Sequence, residues 1–239
     1  GNYVVTGLDR IGDSINDMVG ALLSRSQKIG YVTSGGTADT TNERDQEGAA
    51  LFRRIIGDMY QVVDVGLDEP VPDDVSVLVI NGPRETFTDY QLFNIDQHLM
   101  KGRSALFLVD SFQEMQMNNM GGMFGQEPLV LPVVTGLDAL LSHYGISVKR
   151  NIVLDNRCAR LNLGSMVRDV PLFPMIEKSG LDPDSVITRY LAGLLFIKAS
   201  EVTFDDEQVH AAGNNAITLV TSSPYSWVME GRVSFNPLT

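Results

Sequence analysis

The sequence VSVLVINGPRETFTDYQLFNIDQHLMKGRSALFLVDSF, residues 75–112, decides the fold class. Residues 75–80 are mostly β-branched residues and Leu, a composition typical of a strand that is buried on both faces. Asn81, Gly82 and Pro83 follow directly, and Gly and Pro are strong breakers of regular structure. This part of the sequence therefore predicts a buried strand that ends in a turn.

A helix with clear end signals follows the turn. Thr88 is the predicted N-cap, and Gln91 three residues later completes a capping-box pattern. Lys101 and Gly102 are typical of a helix C-terminus. Residues 105–109 then read as a second buried strand. Strand, helix and strand form a βαβ unit, in which the two strands run parallel.

The same alternation extends back to residue 28. Residues 28–33 and 61–65 read as strands. A helix is predicted over 43–60, with Leu51, Ile55 and Met59 as its buried stripe and Phe52 and Ile56 widening it. The order β-α-β-β-α-β predicts a layered α/β sandwich with a mainly parallel sheet. Residues 8–26 additionally have the apolar period of an amphipathic helix.

The second half of the chain is less regular. Residues 113–132 are rich in Met and Gly, which suits either an adaptable contact surface or an insertion packed on its own domain. A short helix is predicted over 136–144, and strands over 146–148, 152–154 and 216–221. Residues 170–175 contain two prolines, which predict an edge strand or a loop.

These elements predict one α/β domain over residues 1–239. Its core covers about 28–155, and a C-terminal extension, about 156–239, returns strand 216–222 to the fold as an additional strand.

Composition excludes several classes of protein. The chain has 239 residues and a formal net charge of -12, so nucleic acid would be repelled at long range. The single cysteine, Cys158, excludes an intrachain disulfide. No run of 18 apolar residues is present, as a membrane span would require. Because the chain begins Gly-Asn without Met, we expect it to be a portion of a longer protein that carries any membrane anchor.

Candidate ligand-binding residues follow the predicted parallel strands. Ligands of α/β sheets bind at the carboxyl ends of the strands, where this sequence has three polar or glycine-containing loops. The glycines of the first loop either form a plain tight turn or present backbone N–H groups to an anion or a sugar. The candidate pocket comprises Ser34, Gly35, Gly36, Thr37, Asn81, Gly82, Pro83, Asp110 and Ser111.

Catalytic and metal-binding patterns are weak. Ser111 follows a strand, but its neighbours Asp110 and Phe112 are too large for the sharp elbow that a nucleophilic serine needs. The three histidines, His98, His143 and His210, are widely spaced and match no metal motif. The sequence therefore indicates no catalytic residue, metal or cofactor. A hydrolase that uses Ser111 or Cys158 stays open as an alternative.

Several motifs together resemble one known family. The motifs are KIGYVTSGGT (28–37), the 77–112 stretch with IDQHLMKG, LDALLSHYGISVKRNIVLD (137–155) and SSPYSWVMEGRVSFNP (222–237). In this order they resemble the GldG-like auxiliary components of ABC transport systems, first associated with gliding motility.

The resemblance implies a fold similar to flavodoxin-like and class I glutamine amidotransferase-like sandwiches, without their catalytic residues. It implies a non-enzymatic domain, anchored at the bacterial inner membrane on the periplasmic side, that serves protein interaction or ligand sensing. Its implied partners are the ABC permease and ATPase subunits. A module that binds a small sugar or anion is the other alternative.

Overall fold

The computed structural model describes residues 27–42, 48–115, 129–162 and 167–235. By its contacts the chain divides into two compact units, residues 1–109 and 110–239. The predicted helix 8–26 and the central part of the Met-rich stretch, 116–128, lie outside the described residues. A single domain with its core at about 28–155 stays a prediction.

The first unit contains a four-stranded parallel sheet. The strand order is β2-β1-β3-β4, with every neighbouring pair parallel. The prediction of an α/β chain with a parallel sheet is thereby confirmed. The elements are β1 (Lys28–Val32), α1 (Ala50–Gly57), β2 (Gln61–Val65), β3 (Val75–Asn81), α2 (Asp89–Met100) and β4 (Ser104–Leu108).

Helix α2 begins and ends as the sequence predicts. The Thr88 side chain accepts a hydrogen bond from the Gln91 N–H, and the Gln91 side chain accepts one from the Thr88 N–H, which completes the capping box. At the other end Gly102 has φ +75°. Its N–H bonds to Leu99 O, and the Arg103 N–H bonds to His98 O, as in a Schellman motif.

Helix α1 packs through one side of the predicted stripe, the side of Phe52, and not through its predicted centre. Leu51, Ile55 and Met59 are 57%, 53% and 48% exposed, so the prediction that they form the buried stripe is wrong. Phe52 instead packs against the buried cluster around Tyr31, with the two ring centroids 6.2 Å apart. The sequence carries two overlapping apolar stripes at helical spacing, and the sheet covers the one that contains the aromatic ring.

Strand β4 is not buried on both faces as its sequence suggested. Leu106 and Leu108 are 42% and 43% exposed. β4 lies at one end of the strand order, where only one side has a partner strand. An unbroken apolar run therefore did not guarantee burial.

The second unit is built from antiparallel pairs: β9 with β10 and β11, β7 with β12, β8 with β13, and β5 with β6. Its first elements are β5 (Phe112–Met115), β6 (Leu129–Pro132), α3 (Leu137–His143), β7 (Ile146–Val148), β8 (Ile152–Asp155) and β9 (Cys158–Asn162). The remaining elements are β10 (Val167–Glu177), η1 (Lys178–Gly180), β11 (Gly193–Leu195), β12 (Val202–Phe204), α4 (Asp206–Ala211) and β13 (Ser226–Met229).

Strand β10 contains both prolines and is nevertheless the central strand of its sheet. The prediction of an edge or a loop over 170–175 is wrong for this reason. The register passes from Val170 opposite Ala159 to Pro174 opposite Cys158, so β10 bulges between these pairs. A bulge is one of the places where a strand tolerates proline, because no ladder hydrogen bond from its nitrogen is needed there.

The predicted strand 216–221 does not form. Only an isolated bridge joins Val220 to Leu181. The segment has the composition of a strand. Within the described residues, however, two backbone hydrogen bonds accompany the bridge, from Asp182 N to Leu219 O and from Thr221 N to Gly180 O. The segment stays extended without entering a sheet.

A buried carboxylate joins the end of β8 to the segment before β13. Asp155 is fully buried. It accepts hydrogen bonds from the Ser223 N–H at 2.8 Å, the Ser223 hydroxyl at 2.5 Å and the Arg157 N–H at 2.8 Å. Burial acts to raise the pKa of Asp155, but these hydrogen bonds outweigh it and hold the pKa below its ordinary value.

We expect Asp155→Asn to destabilise the second unit by about 2–3 kcal/mol at pH 7, since an amide N–H would face the Ser223 N–H. Because the folded pKa lies below the unfolded value of about 3.9, the carboxylate stabilises the fold above that pH. That contribution is lost as the pH falls through the folded pKa. The deficit of the variant should therefore stay constant from pH 7 to about pH 4 and shrink as the pH falls further.

Urea unfolding followed by fluorescence of Trp227, the single tryptophan, measures this difference. Trp227 lies opposite Leu154, next to Asp155, so it reports on this region. Asp169→Asn is the control, because Asp169 is an exposed partner of Arg160 and should change stability by less than about 1 kcal/mol. Equal stabilities of Asp155→Asn and the parent chain at pH 7 would contradict the expectation.

Candidate functional site

The strand order creates a crevice at the carboxyl edge of the parallel sheet. The chain moves from β1 outward to β2 and then to β3 on the other side of β1. The carboxyl ends of β1 and β3 thus flank a topological switch point, where α/β sheets bind ligands. Two of the predicted loops, 34–37 and 81–83, lie at this edge.

Hydrogen bonds link the two loops directly. The Ala38 N–H donates to Asn81 O at 2.9 Å. Gly35 O accepts from the N–H groups of Arg84 and Glu85, both at 2.9 Å. The structure therefore brings together Ser34, Gly35, Gly36, Thr37, Asn81, Gly82 and Pro83. Asp110 and Ser111, the other predicted pocket residues, belong to the second unit.

The two glycines of the first loop are required by backbone geometry. Gly35 and Gly36 have φ +73° and +63°, in the left-handed region that favours glycine. A Cβ on Gly35 would lie 2.4 Å from the Phe87 ring. The loop can therefore close onto the turn before α2 only because it lacks side chains at these positions.

The hydroxyl groups of this loop are engaged within the fold. The Ser34 hydroxyl accepts from the Leu67 N–H at 2.9 Å, which anchors the connection between β2 and β3. The Thr37 hydroxyl donates to Val32 O at 2.6 Å. Within the described residues the N–H groups of Gly35 and Gly36 donate no hydrogen bond. These N–H groups are the part of the edge that a ligand could use.

Acidic side chains flank the loop. The Glu85 side chain would lie 2.8 Å from a Cβ on Gly36. Hydrogen bonds from the Thr41 N–H and hydroxyl hold the pKa of the exposed Asp39 below its ordinary value. The negative charges of Glu85, whose side chain lies next to Gly36, and of Asp39, two residues after Thr37 in the chain, disfavour a multiply charged anion. The edge suits a neutral ligand with hydroxyl groups better than a phosphate.

Neither candidate nucleophile has a histidine partner. Ser111 is 8% exposed and donates to Lys149 O at 2.8 Å. Burial raises the pKa of the Cys158 thiol, which disfavours the reactive thiolate. Among the described residues, His98 contacts Ser104 O, His210 contacts Asp206 O and His143 packs edge-on against Tyr144. The geometry that a hydrolase needs is not present around Ser111 or Cys158.

Within the same described part of the chain, no group of three or more His, Cys, Asp or Glu side chains could hold a metal ion. No described helix is long and apolar enough to cross a membrane.

The second unit also contains a cavity of about 400 Å³ that the sequence did not predict. Its lining is distributed over β8, β10, the 196–202 connection and the extended 218–222 segment. Part of the lining comes from the segment that the sequence predicts as a strand, residues 216–221: Thr218, Val220 and Thr221 reach the cavity, as does Ser222.

The first unit is an α/β sheet with two loops at the edge where such proteins bind ligands. Among the described residues, neither Ser111 nor Cys158 has a histidine beside it to act as a catalytic base. The chain belongs to the family described as ABC-type uncharacterized transport system, whose model matches residues 26–238. The predicted resemblance to ABC transport auxiliary proteins is thereby confirmed at the level of this family.

Among solved structures, the mmIFT52 N-terminal domain is similar, with a TM-score of 0.51 and 13% identity. The match covers 83% of this chain and 74% of that chain. At this identity the likeness concerns the fold alone. A comparison with curated proteins gave no match.

The glycine loop can be tested with a matched pair of variants. Gly35 and Gly102 have similar φ values, +73° and +75°, but a Cβ on Gly102 meets nothing within 4 Å. Gly102→Ala should cost about 1–2 kcal/mol for the left-handed backbone alone. Gly35→Ala should cost about 1–3 kcal/mol more, because the added methyl overlaps the Phe87 ring. Urea unfolding followed by far-UV circular dichroism compares the two, and equal losses would show that the loop is not tightly packed.

Proposed function

We propose that this chain is a non-catalytic domain of a GldG-like auxiliary protein in an ABC transport system of the gliding-motility type. Segments outside this sequence hold the parent protein at the bacterial inner membrane, with this domain on the periplasmic side. Its fold is related to the flavodoxin-like and amidotransferase-like sandwiches. The observation that carries the proposal is the family match over residues 26–238.

The proposed role is protein interaction, and the proposed partners are the permease and ATPase subunits. One segment of the second unit supports this role through its exposed apolar side chains. Val186, Ile187 and Tyr190 are 70%, 65% and 84% exposed, and the Arg189 guanidinium lies 4.8 Å from the Tyr190 ring centroid. Large exposed apolar groups mark interaction surfaces, and Tyr and Arg are enriched in them.

The test uses the full-length parent protein co-expressed with the permease and ATPase encoded beside it. We expect both subunits to co-purify with the parent protein. The double variant Ile187→Asp, Tyr190→Ala should reduce their recovery about tenfold, because it removes two interface anchors. Val167→Asp is the control, since Val167 is also 65% exposed but lies on β10. The proposal fails if neither subunit co-purifies, or if the parent gene encodes no membrane span.

A second candidate function is small-ligand binding at the sheet edge formed by residues 34–37 and 81–83. The observation that favours it is the pair of free glycine N–H groups at the switch point. Ligand sensing by a transport auxiliary protein would use such a site.

Thermal-shift measurements with glucose, galactose and inorganic phosphate test this candidate. A ligand at 100 times its Kd adds about 2.7 kcal/mol of stability. We expect a shift with a neutral sugar and none with phosphate, because Asp39 and Glu85 repel anions. Asp39→Asn with Glu85→Gln should then allow phosphate to bind. Flat curves for the parent chain and the variant with all three compounds would contradict the candidate.

A further inference from the structure

We propose that the cavity in the second unit binds a small, mostly apolar molecule that carries an amine. The cavity lies outside the sheet edge described above, and the inference does not depend on the transport role. Its lining residues are Val153, Pro174, Ile176, Phe196, Ala199, Ser200, Glu201, Val202, Thr218, Val220, Thr221 and Ser222.

The size and lining of the cavity suit a small organic ligand. Its volume of about 400 Å³ falls in the range of about 300–1,000 Å³ typical of ligand pockets. Most of the lining side chains are aliphatic, proline or aromatic. The apolar part of a ligand, a short carbon chain or one ring, would therefore leave water when it enters the cavity, which favours binding.

A buried hydroxyl in the wall lacks a hydrogen-bond partner. The Oγ of Ser200 is shielded from solvent and bonds to nothing in the described structure. Such groups are rare, because a buried polar atom without a partner costs free energy. Because this atom has almost no accessible surface, even toward the cavity, it lies behind the wall and weakens the packing there without contacting a ligand.

The adjacent Glu201 gives the cavity a negative charge. One carboxylate oxygen accepts from the Asn151 side chain at 3.0 Å, and the Glu201 N–H donates to the Asn151 side chain at 3.1 Å. Within the described residues Glu201 forms no salt bridge. A fixed carboxylate beside an apolar surface favours a cationic group in the ligand and disfavours an anion.

The walls are held in place by their own backbone. The Val153 N–H bonds to Ala199 O, and the Thr221 N–H bonds to Gly180 O, both at 2.8 Å. A Cβ on Gly180 would lie 2.5 Å from Thr221 O, so the glycine permits this close approach. A site whose walls are already ordered loses little entropy when a ligand enters.

Three matched probes test the proposal: 4-phenylbutylamine, 4-phenylbutan-1-ol and 4-phenylbutyrate, titrated into the full chain and followed by amide chemical shifts in two-dimensional NMR. We expect shifts at residues 199–202 and 218–222, with the amine binding most tightly and the carboxylate least. Glu201→Gln keeps an oxygen for Asn151 but removes the charge. It should weaken binding of the amine about tenfold, as loss of a charge-assisted hydrogen bond implies, and leave that of the alcohol unchanged.

Two further variants separate a binding role from a structural one. Ser200→Ala should raise the Tm of the ligand-free protein by about 2–4 °C, since it removes a buried hydroxyl without a partner, and should leave binding of the amine unchanged, since that hydroxyl does not reach the cavity. Ala199→Phe should fill the cavity and abolish the titration. The proposal is overturned if no probe shifts these amides at millimolar concentration, if amine and carboxylate bind equally, or if Ala199→Phe binds as the parent chain does.

Discussion

The buried carboxylate of Asp155 is the interaction on which the second unit depends. Taking an ionised carboxylate out of water is costly unless hydrogen bonds replace the water. Ser223, 68 residues further along the chain, supplies two of the three donors. The charge can therefore stay buried only while the closing segment is in place beside β8. Strand β13, which pairs with β8, begins at Ser226, three residues after Ser223.

The two regions that could bind a ligand differ in how their polar groups are used. At the sheet edge the hydroxyls of Ser34 and Thr37 bond to the backbone and hold the loop, so only peptide N–H groups are left. At the cavity, the Glu201 carboxylate forms no salt bridge with any residue that the structure describes. The loop that looks most like a binding motif in the sequence is the more structural of the two. The region without a motif has more unsatisfied binding capacity.

Local signals in the sequence were sufficient for the first unit. The strands, the capping box at Thr88 and the C-terminal glycine Gly102 are determined by residues within a few positions of each other, and all are present. The buried face of α1 was not predictable, because Leu51 and Phe52 begin two equally good stripes and only the sheet decides between them. The loops 34–37 and 81–83 could be predicted because glycine and proline residues mark the ends of the strands before them.

The second unit required contacts that no local pattern reports. Pro171 and Pro174 argue against a central strand until the bulge opposite Cys158 is known. Residues 216–221 have the composition of a strand, but their neighbour on one side is a cavity. The cavity itself comes from segments far apart in the chain, from Val153 to Ser222, so no local pattern could report it.

The pairing of β8 with β13 also constrains the order in which the chain folds. The parallel strands β1 to β4 are complete once residue 108 has been made, and neighbours in that sheet are close in sequence. β8 must instead wait for Ser226–Met229, near the end of the chain. Until that strand is available and pairs with it, the edge of β8 is left without this partner. Since long-range pairing is slow and exposes strand edges, the second unit should fold later and be the more prone to aggregation.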